Sequence, residues 1–126
     1  MVEIFLLFVF AHFLADYPLQ GILATEKNPH KEKEIIPWKH AMFAHCFIHA
    51  GFVAIIVAIA TGNHVLALGF GMMELSCHWL LDNAKCDKYI TFNQDQLGHV
   101  LCKFFYSIVL SPYVGLFVFA GPLTFI

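Results

Sequence analysis

Four long apolar runs, separated by short polar segments, set the pattern of this chain. A helix that crosses a bilayer core needs roughly 20 mostly apolar residues. The first run extends from about Glu3 to Ala24, the second from Trp38 to Ala60 and the third from Val65 to Ala84. The fourth begins near Asp95 and continues to about residue 125. Between them lie a segment from Glu26 to Pro37 that holds Pro29 and Pro37, the turn Thr61-Gly62-Asn63-His64, and a polar stretch over residues 85–94. The pattern predicts an all-α integral membrane bundle of about four transmembrane helices. It forms a single domain over residues 1–126, with helices at about 3–24, 38–60, 65–84 and 95–125. The last run is too long for one straight span. Ser111-Pro112 lies in its middle, and proline lacks the N–H that helix continuity needs, so a kink or break is expected near Pro112.

The polar residues inside these runs are not scattered. The first carries His12, Asp16 and Gln20, and the second His45 and His49, with His40 before them. The third carries Glu74, His78 and Asp82, and the fourth Asp95, His99 and Lys103, with Gln96 adjacent. Spacing by four places side chains on one helix face, and a polar stripe in a membrane helix turns toward the bundle interior. Counted from the lysine-rich end at the helical rise per residue, Asp16, His45, His78 and His99 lie roughly 12, 10, 9 and 7 Å deep. Helices of alternating direction thus bring their polar residues to one level.

Composition fits the same picture. Of 126 residues, 60% are hydrophobic and 13% charged, with a mean hydropathy of +0.72. A small soluble domain has proportionally more surface to cover with polar groups than this sequence supplies, whereas a lipid-facing surface needs none. The formal net charge of -2 and the absence of arginine give no footing for nucleic acid. Lys27, Lys31, Lys33 and Lys39 lie in or beside the first polar segment, and Lys85 and Lys88 in the third. The positive-inside rule therefore expects those loops in the cytoplasm and both termini outside, in an inner membrane. The opening stretch has no basic n-region and carries His12 and Asp16, so it reads as a retained helix rather than a signal peptide. Cys46, Cys77, Cys86 and Cys102 form no CxxC pair and are expected as packing residues.

Histidines and carboxylates sharing one buried level can satisfy one another by hydrogen bonds, or they can hold a divalent cation. His45-x-x-x-His49 points two imidazoles to one side of a helix, and no HExxH is present. The expected ligands are His12, Asp16, His45, His49, His78 and His99. Zinc is the first choice of metal, with iron or manganese as alternatives, and the donors suffice for two ions about 3.5–4 Å apart. Asp82 and Asp95 are the candidate catalytic carboxylates. Gln20, Glu74 and Gln96 are expected to support the ligands, and Lys27 and Lys85, at the mouth, to bind an anionic headgroup or phosphate. Lys103 is expected to offset Asp95 or Glu74, or to reach toward water. His30 and His64, and the run Glu26 to Glu34, read as solvated.

The segments AHFLADYPLQ with Glu26-Lys27-Asn28, then HCFIH, CHWLLDNAK and DQLGH, resemble the bacterial and phage membrane-protein family called domain of unknown function 3307. The resemblance runs through about Leu110, and the tail beyond Ser111 departs from it. It implies a small helical membrane protein of a kind common in phages and prophages. Its matching positions are His12, Asp16, Gln20, His45, His49, His78, Asp82, Asp95, Gln96 and His99. The family's polar pattern is similar to that of membrane-bound metal-dependent hydrolases, by analogy alone.

Three functional readings follow. The first is a membrane-embedded metal-dependent hydrolase acting on a lipid or amphipathic substrate at the cytoplasmic leaflet, with the bilayer as its partner. The alternative is a non-enzymatic phage or bacterial membrane protein: a proton or ion relay, which at this size calls for a homo-oligomer, or a membrane-modifying factor. A third reading is redox: a carboxylate-histidine four-helix site can hold two irons, whereas haem on facing histidines ranks low because the carboxylates crowd the site.

Overall fold

The computed structural model describes residues 1–32 and 35–120. The expected end of the last run, residues 121–125, and Lys33 lie outside the described residues. Within them every regular element is helical: α1 (Val2–Asp16), α2 (Leu23–Glu26), α3 (Trp38–Thr61), α4 (His64–Cys86) and α5 (Phe92–Ala120). Three helices are long and apolar enough to cross a membrane: Trp38–Thr61, His64–Cys86 and Phe92–Val114.

The first expected helix, 3–24, is shorter than its apolar run. α1 stops at Asp16 because Pro18 cannot donate a backbone bond and disfavours helical geometry at Tyr17. Gly21 then turns at φ +48°, which glycine adopts without steric cost. The chain folds back, and the short α2 returns beside the bundle and packs on α3.

The other boundaries follow local chemistry. Gly62 closes α3 in the left-handed conformation, and Asn63 caps α4 through its Oδ1, which accepts from the N–H groups of Val65 and Leu66 at 3.0 Å. α5 starts three residues before Asp95. Thr91 and Gln94 form a reciprocal capping box: the Thr91 N–H donates to Gln94 Oε1 at 2.8 Å and the Gln94 N–H to Thr91 Oγ1 at 3.3 Å. The helix is continuous through Pro112, where a break was among the expectations. Proline removes the bond to the Ile108 carbonyl, and the Ser111 hydroxyl donates to that oxygen instead at 2.8 Å.

The bundle is apolar outside and polar within. Phe10, Phe47, Ile59, Leu68, Leu80 and Leu101 are exposed, while His12, His45, His49, Glu74, His78, Asp82, Asp95, His99 and Lys103 are buried. α3 and α4 make the most extensive pairing. Their close approach passes over Gly71, where an added Cβ would stand 3.1 Å from Ala54 Cβ and 3.2 Å from the Ala50 carbonyl oxygen. Toward the end of the bundle that carries the Gly62 turn, the core is hydrocarbon: Ile4, Phe8, Val53, Val57, Ala67, Phe70, Tyr106 and Leu110. Tyr106 meets Phe8 and Phe70 edge-on, at centroid distances of 6.1 and 5.5 Å.

Candidate metal centre

The polar stripes of the four long helices meet in one cluster. Helix α1 supplies His12 and Asp16, α3 His45 and His49, α4 Glu74, His78 and Asp82, and α5 Asp95, Gln96, His99 and Lys103. His78 lies at the middle, its ring stacked between His49 (centroids 3.7 Å apart) and His99 (4.0 Å). Candidate ligand atoms of Asp16, His45, His49 and His78 all lie within 4.8 Å of one another, as do those of His12, His78 and His99, and those of Asp82, Asp95 and His99.

With each imidazole taken as neutral, the neighbouring donors assign the ring protons. Lys103 donates to Glu74 Oε1, so Glu74 is a carboxylate, and His78 Nδ1–H donates to the same oxygen at 3.1 Å. The His78 Nε2 is then a bare lone pair. The Lys27 ammonium, which can only donate, stands 2.8 Å from His45 Nε2, so that atom is a lone pair as well. These two nitrogens are 3.1 Å apart. Asp82 Oδ2 lies 3.2 Å and Asp16 Oδ1 3.3 Å from His45 Nε2. His78 Nε2, Asp16 Oδ1 and Asp82 Oδ2 therefore surround His45 Nε2, and the Lys27 ammonium lies against His45 and Asp82. The same assignment leaves His45 Nδ1 a buried N–H without a partner.

Asp16 links this group to α5. His49 Nε2 lies 3.1 Å from its Oδ1, and the Gln96 amide donates to its Oδ2 at 2.9 Å. With its nitrogen committed to Asp16, Gln96 offers its oxygen to His12 Nε2 at 3.3 Å. His12 Nδ1 is thereby left as an unpartnered buried acceptor. Gln20 donates to the Asp16 backbone oxygen.

The two mouth lysines turn inward. Lys27 is only 5% exposed and its ammonium is 2.6 Å from Asp82 Oδ2. Lys85 reaches Asp82 Oδ1 at 2.6 Å and Asp95 Oδ2 at 2.8 Å. A cavity of about 220 Å³ opens beside them, lined by Asp16, Tyr17, Gln20, Lys27, Lys85 and Gln96, with Ala24 and Phe92. Four carboxyl groups (Asp16, Glu74, Asp82, Asp95) face three ammonium groups (Lys27, Lys85, Lys103), one fewer cation than acid.

The family described as Protein of unknown function (DUF3307) matches residues 4–115. The chain belongs to this family. No curated protein and no solved structure matches it. The matched stretch of this DUF3307 member contains every residue of the cluster and extends a few residues past Leu110.

Three features escaped the sequence reading. Glu26, placed in a solvated run, is buried: its carboxylate takes Lys31 and the N–H groups of Ile35 and Ile36, the last two at 2.9 and 2.8 Å. These bonds, that of Ile36 foremost, hold its pKa below the ordinary value. The Glu-x4-Lys spacing of a loop gives no periodic signal for such a clamp. Lys27 is a partner of the cluster, which becomes visible only once α1 is known to stop at Asp16. The α5 stripe continues beyond Lys103 to the buried Ser107, a further step of four. His30 is paired with Asp87 at 2.8 Å in the exposed loop, while His40 and His64 are exposed and outside the cluster.

Proposed function

We propose that this protein is a membrane-embedded, metal-dependent hydrolase acting on a lipid or amphipathic ester at the cytoplasmic leaflet. One observation carries the reading: His78 Nε2, Asp16 Oδ1 and Asp82 Oδ2 stand 3.1–3.3 Å from His45 Nε2. Ligands about 2.0–2.1 Å from a tetrahedral zinc ion stand about 3.3 Å apart, so the spacing fits one. A set built only for mutual hydrogen bonding would alternate donors with acceptors. Here acceptors face acceptors, in surroundings where uncompensated negative charge is costly.

When bound, such an ion polarises the scissile group and acidifies water. The chain's own residues do the rest. Glu74 holds the His78 ring and its tautomer, and Gln96 orients Asp16 and His12. Asp95 stands beside His99 as a carboxylate able to take a proton, with Oδ1 free of hydrogen bonds. The mouth cavity, bordered by Tyr17 and Phe92, admits a polar head whose tail stays in lipid.

We place four spans in the inner membrane, α1 with residues 17–22 making the fourth, the lysine-bearing loops cytoplasmic, both termini outside and a kink near Pro112. The test is elemental analysis of the detergent-purified protein against a His78→Ala variant of matching helicity. The expected result is stoichiometric metal, zinc first, in the wild type and its loss in the variant. Folded wild type that neither retains nor takes up zinc, iron or manganese overturns the reading.

A further inference from the structure

We propose that the centre holds two divalent cations, one on each side of Asp82, with the carboxylate bridging them. The proposal rests on the metal-dependent reading above, gives the second oxygen of Asp82 an ion of its own and makes Asp95 a ligand. Asp82 is 1% exposed and its two oxygens face different neighbours. Oδ2 looks toward His45 at 3.2 Å and His78 at 3.7 Å, beside Asp16 and His49. Oδ1 looks toward His99 at 3.8 Å, beside Asp95. The second group has two orphaned atoms of its own: His99 Nε2 and Asp95 Oδ1, both fully buried, lie 3.3 Å apart, yet neither has a hydrogen-bond partner.

Each oxygen of Asp82 also already attracts a cation from its own side. Lys27 lies 2.6 Å from Oδ2 and Lys85 2.6 Å from Oδ1. Both ammonium groups sit on flexible stems that line the mouth cavity, so each can withdraw into it when an ion takes its place. One site is then Asp16, His45, His49, His78 and Asp82 Oδ2; the other is Asp82 Oδ1, Asp95 and His99. A bridging carboxylate of this kind suits ions about 3.5–4 Å apart, the separation at which a pair can stabilise both the attacking and the leaving oxygen of one displacement.

Zinc stoichiometry of the purified protein, after chelation and reloading, tests the proposal. Two ions per wild-type chain are expected, and one in His99→Ala and in Asp95→Asn, each checked for helicity. One ion in the wild type overturns the pair and leaves the single-ion reading standing; none overturns both. Two ions retained in both variants also refute it, because the second ion then lies elsewhere. The electron paramagnetic resonance spectrum of manganese-loaded wild type requires no variant: a spin-coupled signal is expected, and an isolated six-line signal at saturation counts against the pair.

Discussion

Replacing Lys103 by methionine strands a carboxylate in the middle of the bundle. Glu74 and Lys103 are 0% and 1% exposed, and Lys103 donates to Glu74 Oε1. After the change that oxygen keeps only the His78 Nδ1–H at 3.1 Å, and Oε2 has no partner even in the parent. Removing one member of a buried ion pair costs about 3–5 kcal/mol. Because His78 remains and the carboxyl can take up a proton, the lower end applies, about 3 kcal/mol, or roughly a hundredfold in the unfolding equilibrium. Removing both charges, as Glu74→Leu with Lys103→Met, leaves no stranded group and should cost within about 1 kcal/mol of the parent. Unfolding by SDS in lipid bicelles measures the cycle, and the expected coupling is about 2 kcal/mol. The double variant has a second readout. Without Glu74 the His78 ring is free to turn and change tautomer, so zinc affinity should fall about 10- to 100-fold while the fold persists. A single variant as stable as the parent, or strictly additive costs, would refute the buried pairing.

Lys27→Met should raise zinc affinity at least about tenfold, because it removes an ammonium that repels a divalent ion a few Å away by several kcal/mol even at an effective dielectric near 20; competition with a chromogenic chelator measures it, and weaker binding would contradict the place given to Lys27. Gly71→Ala sets the α3–α4 spacing against a backbone oxygen that cannot yield, so overpacking of about 1–3 kcal/mol outweighs the roughly 1 kcal/mol gained in helix propensity. Gly98→Ala meets the Leu81 side chain, Cδ2 at 2.9 Å and Cδ1 at 3.2 Å, a flexible end that can rotate, and should be neutral or stabilising; equal losses at both glycines would speak against this packing. The Glu26 clamp is held by a carboxyl whose folded pKa lies below 4.5, so its contribution is complete above the unfolded pKa and disappears as pH falls through the folded one. The Ile36 amide resonance should follow that transition and lose it in Glu26→Gln; a midpoint at or above the ordinary value would contradict the clamp.

Periodicity made the long helices and their facing stripes readable, because in lipid only the interior tolerates His12, His45, His78 and His99. The capping signals Asn63 and Thr91-x-x-Gln94 were equally local. The end of α1 was harder: apolar residues continue to Ala24, and hydropathy outweighed Tyr17-Pro18, although that dipeptide decides the geometry. Once the chain turns there, Glu26 and Lys27 are carried onto the bundle, and their burial depends on contacts far away in sequence. The roles of Gln96 and of the two Asp82 oxygens were illegible for the same reason, since donor direction emerges only when four helices are assembled.

That assembly also bears on the choice between hydrolysis and conduction. A relay for protons or ions needs polar groups or water along the whole span. Here the ionisable groups of the described bundle occupy one half, from the Lys27 and Lys85 mouth to Glu74 and Lys103, with only the Ser107 hydroxyl one step beyond on the α5 stripe. Beyond Lys103 come Tyr106, Phe8, Phe70, Val57, Ile4 and Leu110, closed by edge-on aromatic contacts. Among the described residues of that apolar cluster, the buried Tyr106 hydroxyl is the one polar side-chain group. A cluster open to one side and faced by hydrocarbon on the other, among the described residues, suits the proposed hydrolase, which must admit substrate and exclude leakage. A flux assay in proteoliposomes addresses this directly. No pH-dependent flux is expected from the wild type, and flux that a Phe8→Ala or Phe70→Ala variant increases would show the aromatic layer to be a gate in a pathway rather than the floor of a site.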